Sequence, residues 1–167
     1  TNRPPLSDSR RCILKKARSH NFSLQVGGPV DRFHALLSSV LAASHNAVPT
    51  HSLLDMKTIV ENFPFNIRLY SITSSRFEGL LAGALVYDFG HIAHSQYLAS
   101  SCEGKSLGAL DFLLDKLFTQ EYKHCRYFSL GISTENHGKI LNQGLAFYKE
   151  SLGGRGIVHD LYEIVFQ

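Results

Sequence analysis

The chain has 167 residues, 44% of them apolar and 19% charged, with a net charge of +3. A chain this long buries roughly 70% of its unfolded surface, enough for a full core. No apolar run approaches the ~20 residues of a bilayer span, and no signal-peptide pattern opens the chain. The mild charge permits an anionic substrate but does not argue for broad nucleic-acid binding. The three cysteines, Cys12, Cys102 and Cys125, are odd in number and lack paired spacing, so a reduced, cytoplasmic protein is expected. No Cys/His pattern has zinc spacing, and no metal is expected. Residues 1–6 read as a linker and residues 7–167 as one domain. A start at Thr1 rather than Met suggests a piece of a longer protein.

In chain order, Ser7 or Asp8 can cap a first helix through about Ser19, with Ile13, Leu14 and Ala17 on its apolar side. Phe22–Val26 alternates as a strand, and Gly27-Gly28-Pro29 stops it. Val30, Phe33, Leu36, Leu37, Val40 and Leu41 recur at helical spacing. Ser52 to about Asn62 is a shorter helix with Leu53, Met56, Ile59 and Val60 inward. Asn66–Ser74, Leu80–Asp88 and His91–Ser100 then read as three strands with short links, an antiparallel meander. A long amphipathic helix follows to about Lys123, with Leu107, Leu110, Leu114, Leu117 and Phe118 on one face. Tyr127–Ile132 is a strand reached through that helix and so parallel to its predecessor. Lys139–Ser151 reads as a helix, Gly153-Gly154-Arg155-Gly156 breaks it, and His159–Phe166 reads as a last strand. The fold class is therefore α/β: an antiparallel meander followed by β-α-β-α-β, one mixed sheet with helices on both faces.

The junction Tyr97-Leu98-Ala99-Ser100-Ser101-Cys102-Glu103-Gly104-Lys105-Ser106-Leu107-Gly108-Ala109-Leu110 carries the main functional hint. A strand ends, a turn follows and a helix begins. Backbone N–H groups at the positive end of a helix dipole suit the phosphates of a carrier such as coenzyme A or a nucleotide.

This element order, with a phosphate-type turn after the third meander strand, resembles the GNAT acyltransferase superfamily. More closely it resembles the Fem-like branch, whose members often carry two such domains. The likeness rests on Ser9–Ala17, His45–His51, His94–Tyr97, Gly131–Glu135 and Phe147–Arg155, which together span nearly the whole chain. The superfamily's donor loop reads Arg or Gln, two residues, Gly, one residue, then Gly or Ala. Here Glu103 stands at the first position, Ser106 at the first Gly and Gly108 at the last. Glu103 adds a negative charge and Ser106 a Cβ where a pyrophosphate would approach, each a cost of ~1 kcal/mol. Lys105 can offset the Glu103 charge.

The resemblance implies acyl transfer from a carrier thioester, acetyl-CoA or another acyl-CoA, to a small-molecule or peptide amine, with no metal. Gly104, Lys105, Ser106, Leu107, Gly108 and Ala109 would hold the donor. The backbone of the strand His91–Ser100 would face the carbonyl. Strict alternation puts His94, Gln96 and Leu98 on one face and Ser95, Tyr97 and Ala99 on the other. His94 is then a candidate base and Gln96 a candidate for orienting substrate, with Tyr97 near the acceptor. Tyr148 stands where the superfamily often has a tyrosine that protonates the leaving thiolate. Lys149 matches the Fem-like lysine before a glycine pair, and Arg155 behind those glycines suits an anion clamp. His45 and His51 lie in the connection that overhangs the acceptor, and Glu135 can accept a proton or bind an amine. Arg11, Lys15 and Arg18 form a basic stripe on the first helix, with Arg10 and Lys16 beside it, either a solvated helix face or an RNA contact. Two alternatives stay open: aminoacyl transfer from aminoacyl-tRNA to a peptidoglycan precursor, and a non-catalytic, substrate-binding half of a tandem protein.

Overall fold

The structure, a computed structural model, describes residues 4–160 and 162–164. A five-stranded sheet runs in chain order through β1 (Ser23–Val26), β2 (Ile67–Ser74), β3 (Phe77–Asp88), β4 (Ile92–Ser100) and β5 (Tyr127–Ser129). The first four strands are antiparallel neighbours, and β5 joins β4 in parallel. The mixed sheet is thus the one expected from the meander and the helical crossover. The chain divides into two compact units. One, residues 8–131, holds this sheet; the other is formed by the residues from 132 onward with the segment before Asp8.

Helix α1 (Asp8–Ala17) precedes the sheet, and α2 (Val30–His45) and α3 (Leu53–Asn62) separate β1 from β2. Ser52 closes a capping box on α3: its hydroxyl accepts from the Asp55 amide, and the Asp55 carboxylate takes the Ser52 amide. Phe33, Leu37 and Met56 of these two helices pack with Ile67, Leu69, Leu85 and Ala99 in one buried cluster. The opposite sheet face carries Tyr70, Ala84 and Val86 and receives the helices that follow β4. Helices therefore cover both faces.

The long helix expected after β4 is broken. It consists of α4 (Cys102–Leu107), α5 (Ala109–Lys116) and a π turn over Leu117–Glu121. Gly108 causes the break by adopting the left-handed region, φ 71°, and its amide closes on the Gly104 and Lys105 carbonyls. A Cβ on Gly108 would stand 2.7 Å from Ile13 Cγ2, so α1 comes close over this corner. Two ion pairs tie α1 to α5: Arg10 to Asp111 at 2.7 Å and Arg18 to Asp115 at 2.9 Å. Arg11 pairs with Asp8 inside α1. Arg10, Arg11 and Arg18 thus each meet an aspartate within the fold, but Arg11 and Arg18 stay exposed, as do Lys15 and Lys16.

Other boundaries shift. β3 starts at Phe77, because the β2–β3 turn needs only Ser75-Arg76. β5 ends at Ser129, short of Ile132. Beyond it, β6 (Thr134–Glu135) and β7 (Ile140–Leu141) form a small hairpin, followed by α6 (Gln143–Ser151). Ile140 and Leu141 are strand, not helix, since Asn142 caps α6 by accepting from the Leu145 amide at 2.9 Å. The last expected strand is not formed at 159, 160 or 162–164, where Tyr162 and Ile164 stay exposed; its remaining positions, 161, 165 and 166, lie outside the described residues. No described helix is long and apolar enough to cross a membrane.

The strand-to-helix corner tolerates no added atom at Gly104. A Cβ there would sit 1.9 Å from the Leu81 carbonyl oxygen. Gly104→Ala is expected to cost more than about 3 kcal/mol in denaturant unfolding. Gly79→Ala, at a turn with open space but φ 79°, is expected to cost only about 1 kcal/mol.

Candidate functional site

The strand β4 is not regular. Leu85 of β3 pairs with Tyr97 and Val86 with Ser95, so Gln96 is an extra residue, a β-bulge. Residues paired across an antiparallel ladder share a face. His94 opposite Tyr87, Tyr97 opposite Leu85 and Ala99 opposite Gly83 therefore lie on the α2/α3 side. Ser95 and Leu98 lie on the α5 side. The expected alternation is corrected here: His94 shares its face with Tyr97, not with Leu98, because the bulge shifts the period by one.

The parallel ladder stops at the same place. β4 and β5 pair from Ile92 with Tyr127 to His94 with Ser129, while β4 continues to Ser100. Beyond His94, β4 has no strand partner on this edge among the described residues. The β4–β5 ladder thus ends at His94, and the β4 edge from Ser95 to Ser100 lies beyond it; this open end of the ladder is the wedge.

Polar side chains gather on the α2/α3 side of this opening. His94 Nδ1 lies 2.9 Å from Ser129 Oγ, and that oxygen accepts from the Gly131 amide at 3.2 Å. From the opposite, α5 side, Ser95 donates to the Ser129 carbonyl at 3.1 Å. His51, just before α3, donates its backbone N–H to the Tyr97 hydroxyl, and its Nδ1 lies 2.7 Å from the same oxygen. The two rings meet edge to face at 5.8 Å. If Nδ1 carries the proton and donates to Tyr97, Nε2 keeps a lone pair and can take a proton; the other tautomer makes Nε2 a donor. His34 of α2 adds a contact from Nε2 to the His51 carbonyl at 3.2 Å. His94, Tyr97 and His51 are thus brought to one face, with Ser129 and His34 as residues that sequence reasoning missed. Only the β4–β5 register discloses Ser129, and only tertiary packing discloses His34. The His45 side chain lies outside what the structure describes.

The expected donor loop is more closed than an open cup. Ser101 Oγ accepts from the Gly104 amide at 3.0 Å, the Ser101 carbonyl takes the Lys105 amide at 2.9 Å, and the Lys105 carbonyl takes the Gly108 amide. Ser106 donates its hydroxyl to the Glu103 carbonyl at 2.8 Å. Gly104, Gly108 and Ala109 are buried, Leu107 is half-buried, and Glu103, Lys105 and Ser106 are exposed. Gly108 gives α5 no side-chain cap. Asp111, in its first turn, is buried beside Arg10; burial pushes its carboxyl above the usual range and Arg10 opposes that shift.

The remaining candidates belong to the second unit. Tyr148 and Lys149 are half-buried on α6, and Lys149 donates Nζ to the Ile132 carbonyl. Burial lowers the Lys149 ammonium below its ordinary value. Glu135 accepts from the Asn142 side chain at 2.6 Å. Arg155, exposed, donates to the neighbouring Gly154 carbonyl at 2.9 Å, so it serves a loop carbonyl.

No family model matches the chain, and no curated protein matches it significantly. Solved structures do. FemX superposes with a TM-score of 0.69 at 10% identity over 89% of this chain. The chain spans 54% of the FemX chain. A possible acetyltransferase from Clostridium difficile 630 gives 0.61 at 13% identity, covering 87% of this chain and 97% of that one. AAC(6')-Iy, in complex with the bisubstrate analogue CoA-S-monomethyl-acetylneamine, gives 0.59 at 12% identity, covering 87% and 99%. The fold is that of the GNAT acyltransferases, with a Fem-type protein among its structural relatives.

Two measurements check this geometry. Tyr97→Phe, which leaves His51 without its hydroxyl partner, is expected to lower stability by about 1 kcal/mol in equilibrium unfolding. Burial holds the Lys149 ammonium below the ordinary lysine value of 10.5, so competitive labelling with acetic anhydride is expected to show Lys149 titrating at lower pH than the lysine of a short unstructured peptide.

Proposed function

We propose that this chain transfers an acyl group from acyl-CoA to an amine, and that the transfer occurs at the wedge between β4 and β5. The bulge at Gln96 is the observation that carries the reading. Beside it the β4–β5 ladder ends, and a linear thioester arm can add like a strand along the β4 edge beyond His94. Main-chain donors of that edge can stabilise charge on the thioester oxygen, since fixed dipoles need no reorganisation during reaction. The likeness to an acetyltransferase solved with a coenzyme A analogue supports an acyl-CoA donor. Its diphosphate would rest at the start of α5, around Gly108 and Ala109, with Lys105 beside it.

In this reading the acceptor amine enters from the side of His94, Tyr97 and His51. His94, held by Ser129, takes the amine proton. Tyr97 and His51 orient the acceptor, and Gln96 holds the bulge in place. Tyr148, Lys149, Glu135 and Arg155 remain candidates for the leaving group and the acceptor. The protein acts in the cytoplasm, on a small-molecule or peptide amine.

A second reading is favoured by the closure of the donor loop. The Gly104, Lys105 and Gly108 amides are already bonded, and Ile13 covers Gly108. That closure suits aminoacyl-tRNA as donor and a peptidoglycan precursor as acceptor, with a second GNAT-like half as partner.

Isothermal titration separates the readings. Acetyl-CoA binding supports the first; binding of aminoacyl-tRNA alone supports the second; binding of neither leaves a domain that holds substrate without transferring. Deleting Gln96 probes the wedge itself. The pairs Leu85–Tyr97 and Val86–Ser95 survive that deletion, whereas deleting Leu98 flips every later side chain. The Gln96 deletion is expected to cost far less thermal stability than the Leu98 deletion, yet to weaken acetyl-CoA at least tenfold. Unchanged affinity would reject the wedge as the donor site.

A further inference from the structure

We propose that Asp88, His124 and Cys125 bind one divalent transition-metal ion of the zinc class, which pins the β3–β4 turn to the start of β5. A carboxylate oxygen of Asp88, a ring nitrogen of His124 and Cys125 Sγ lie within 4.8 Å of one another. Cys125 Sγ and His124 Nε2 are 3.5 Å apart. Tetrahedral zinc with bonds of about 2.0 Å to nitrogen and 2.3 Å to sulfur sets its ligands about 3.3–3.8 Å apart. The sulfur–nitrogen pair already meets that spacing, and the carboxylate needs a shift of about 1.5 Å at most.

The donor set selects the ion. Thiolate and imidazole favour zinc-like ions over magnesium or calcium, which take oxygen. Three protein ligands leave a fourth position for water. Asp88 and Cys125 are both held by neighbouring backbone. The Asp88 main chain bonds Asn66 in both directions, and Asp88 Oδ1 accepts from the Gly90 amide at 2.8 Å. The second carboxylate oxygen can bind the ion while the first keeps this bond. Cys125, buried, donates Sγ–H to the Gly90 carbonyl at 3.3 Å, while His124 is exposed and free to adjust. Binding replaces the thiol proton, which leaves to solvent, with a metal–sulfur bond.

The position gives the ion its task. The β3–β4 turn and the first residue pair of the β4–β5 ladder, Ile92 with Tyr127, lie at the closed end of the wedge. Arg126 and Tyr127 both donate their amides to the His91 carbonyl there, at 2.8 and 3.2 Å. A cation bridging Asp88 to Cys125 would tie three strands together where the ladder is shortest.

The test uses the tag-free chain stripped with chelator. Zinc titration by calorimetry is expected to show one ion per chain, and saturating zinc at about 100 times Kd to raise Tm by roughly 5–10 °C. Cobalt is expected to give a thiolate-to-metal charge-transfer band. That band should vanish in Cys125→Ser and persist in Cys12→Ser and Cys102→Ser. His124→Ala, at an exposed position that leaves the fold intact, should weaken zinc at least tenfold. No stoichiometric uptake, a band that survives Cys125→Ser, or unchanged zinc affinity in His124→Ala would each overturn the site.

Discussion

One extra residue in one strand organises this molecule. The bulge at Gln96 shifts the side-chain period of β4, so that His94 and Tyr97 face the same helices. It lies next to the point where the β4–β5 ladder ends, with no further pairing between them beyond His94 and Ser129 among the described residues. A bulge increases local twist and interrupts pairing, so a partner strand that is parallel on one side of it diverges on the other. The shared face of His94 and Tyr97, and with it the contact of the half-buried Tyr97 hydroxyl to His51, follow from that interruption.

The corner after β4 answers to a different constraint, close approach of backbones. Gly104 lies against the Leu81 carbonyl, and the Ser100 hydroxyl donates to that same oxygen at 3.0 Å. Ser101 then caps α4, and Gly108 turns the chain into α5. These bonds fix the corner firmly but consume amides that a phosphate would use. Stability and anion binding compete for the same donors here, and α1, tied down through Arg10 and Arg18, adds to the closure. The Arg10–Asp111 pair is largely shielded, so desolvation offsets much of its attraction and it mainly fixes an arrangement, while Arg18 stays mostly in solvent and its pair contributes little.

On the far face, Tyr70 and Tyr122 meet hydroxyl to hydroxyl at 3.1 Å. Burial pushes both phenols up, so they stay neutral and act as a donor–acceptor pair. Cys125 is likewise pushed up by burial, with the Asp88 charge adding to it, so a free thiol there is a poor nucleophile. Leu113, Leu114 and Leu117 complete that face, and the π turn after Lys116 lets the chain descend towards β5.

Most of the elements were legible in the amino-acid order, for local reasons. Helical spacing marked α2 and α3, and short polar turns separated the meander strands. The junction at Tyr97–Leu110 and the residues His94, Gln96, Tyr97 and His51 stood out for the same reason, as chemistry-bearing types at marked places. What sequence could not supply was register. A bulge has no compositional mark, since its cause is the pairing of β3 with β4, and so the faces of His94 and Tyr97 were misassigned. Ser129, His34 and the Asp88–His124–Cys125 group are separated in sequence and meet only through long-range pairing, which no spacing encodes. Gly108 could be seen as a glycine, but only the proximity of Ile13 and the left-handed turn showed that it ends one helix and starts another. Local propensity is written residue by residue; which side chains become neighbours is decided by how strands align once the chain is folded.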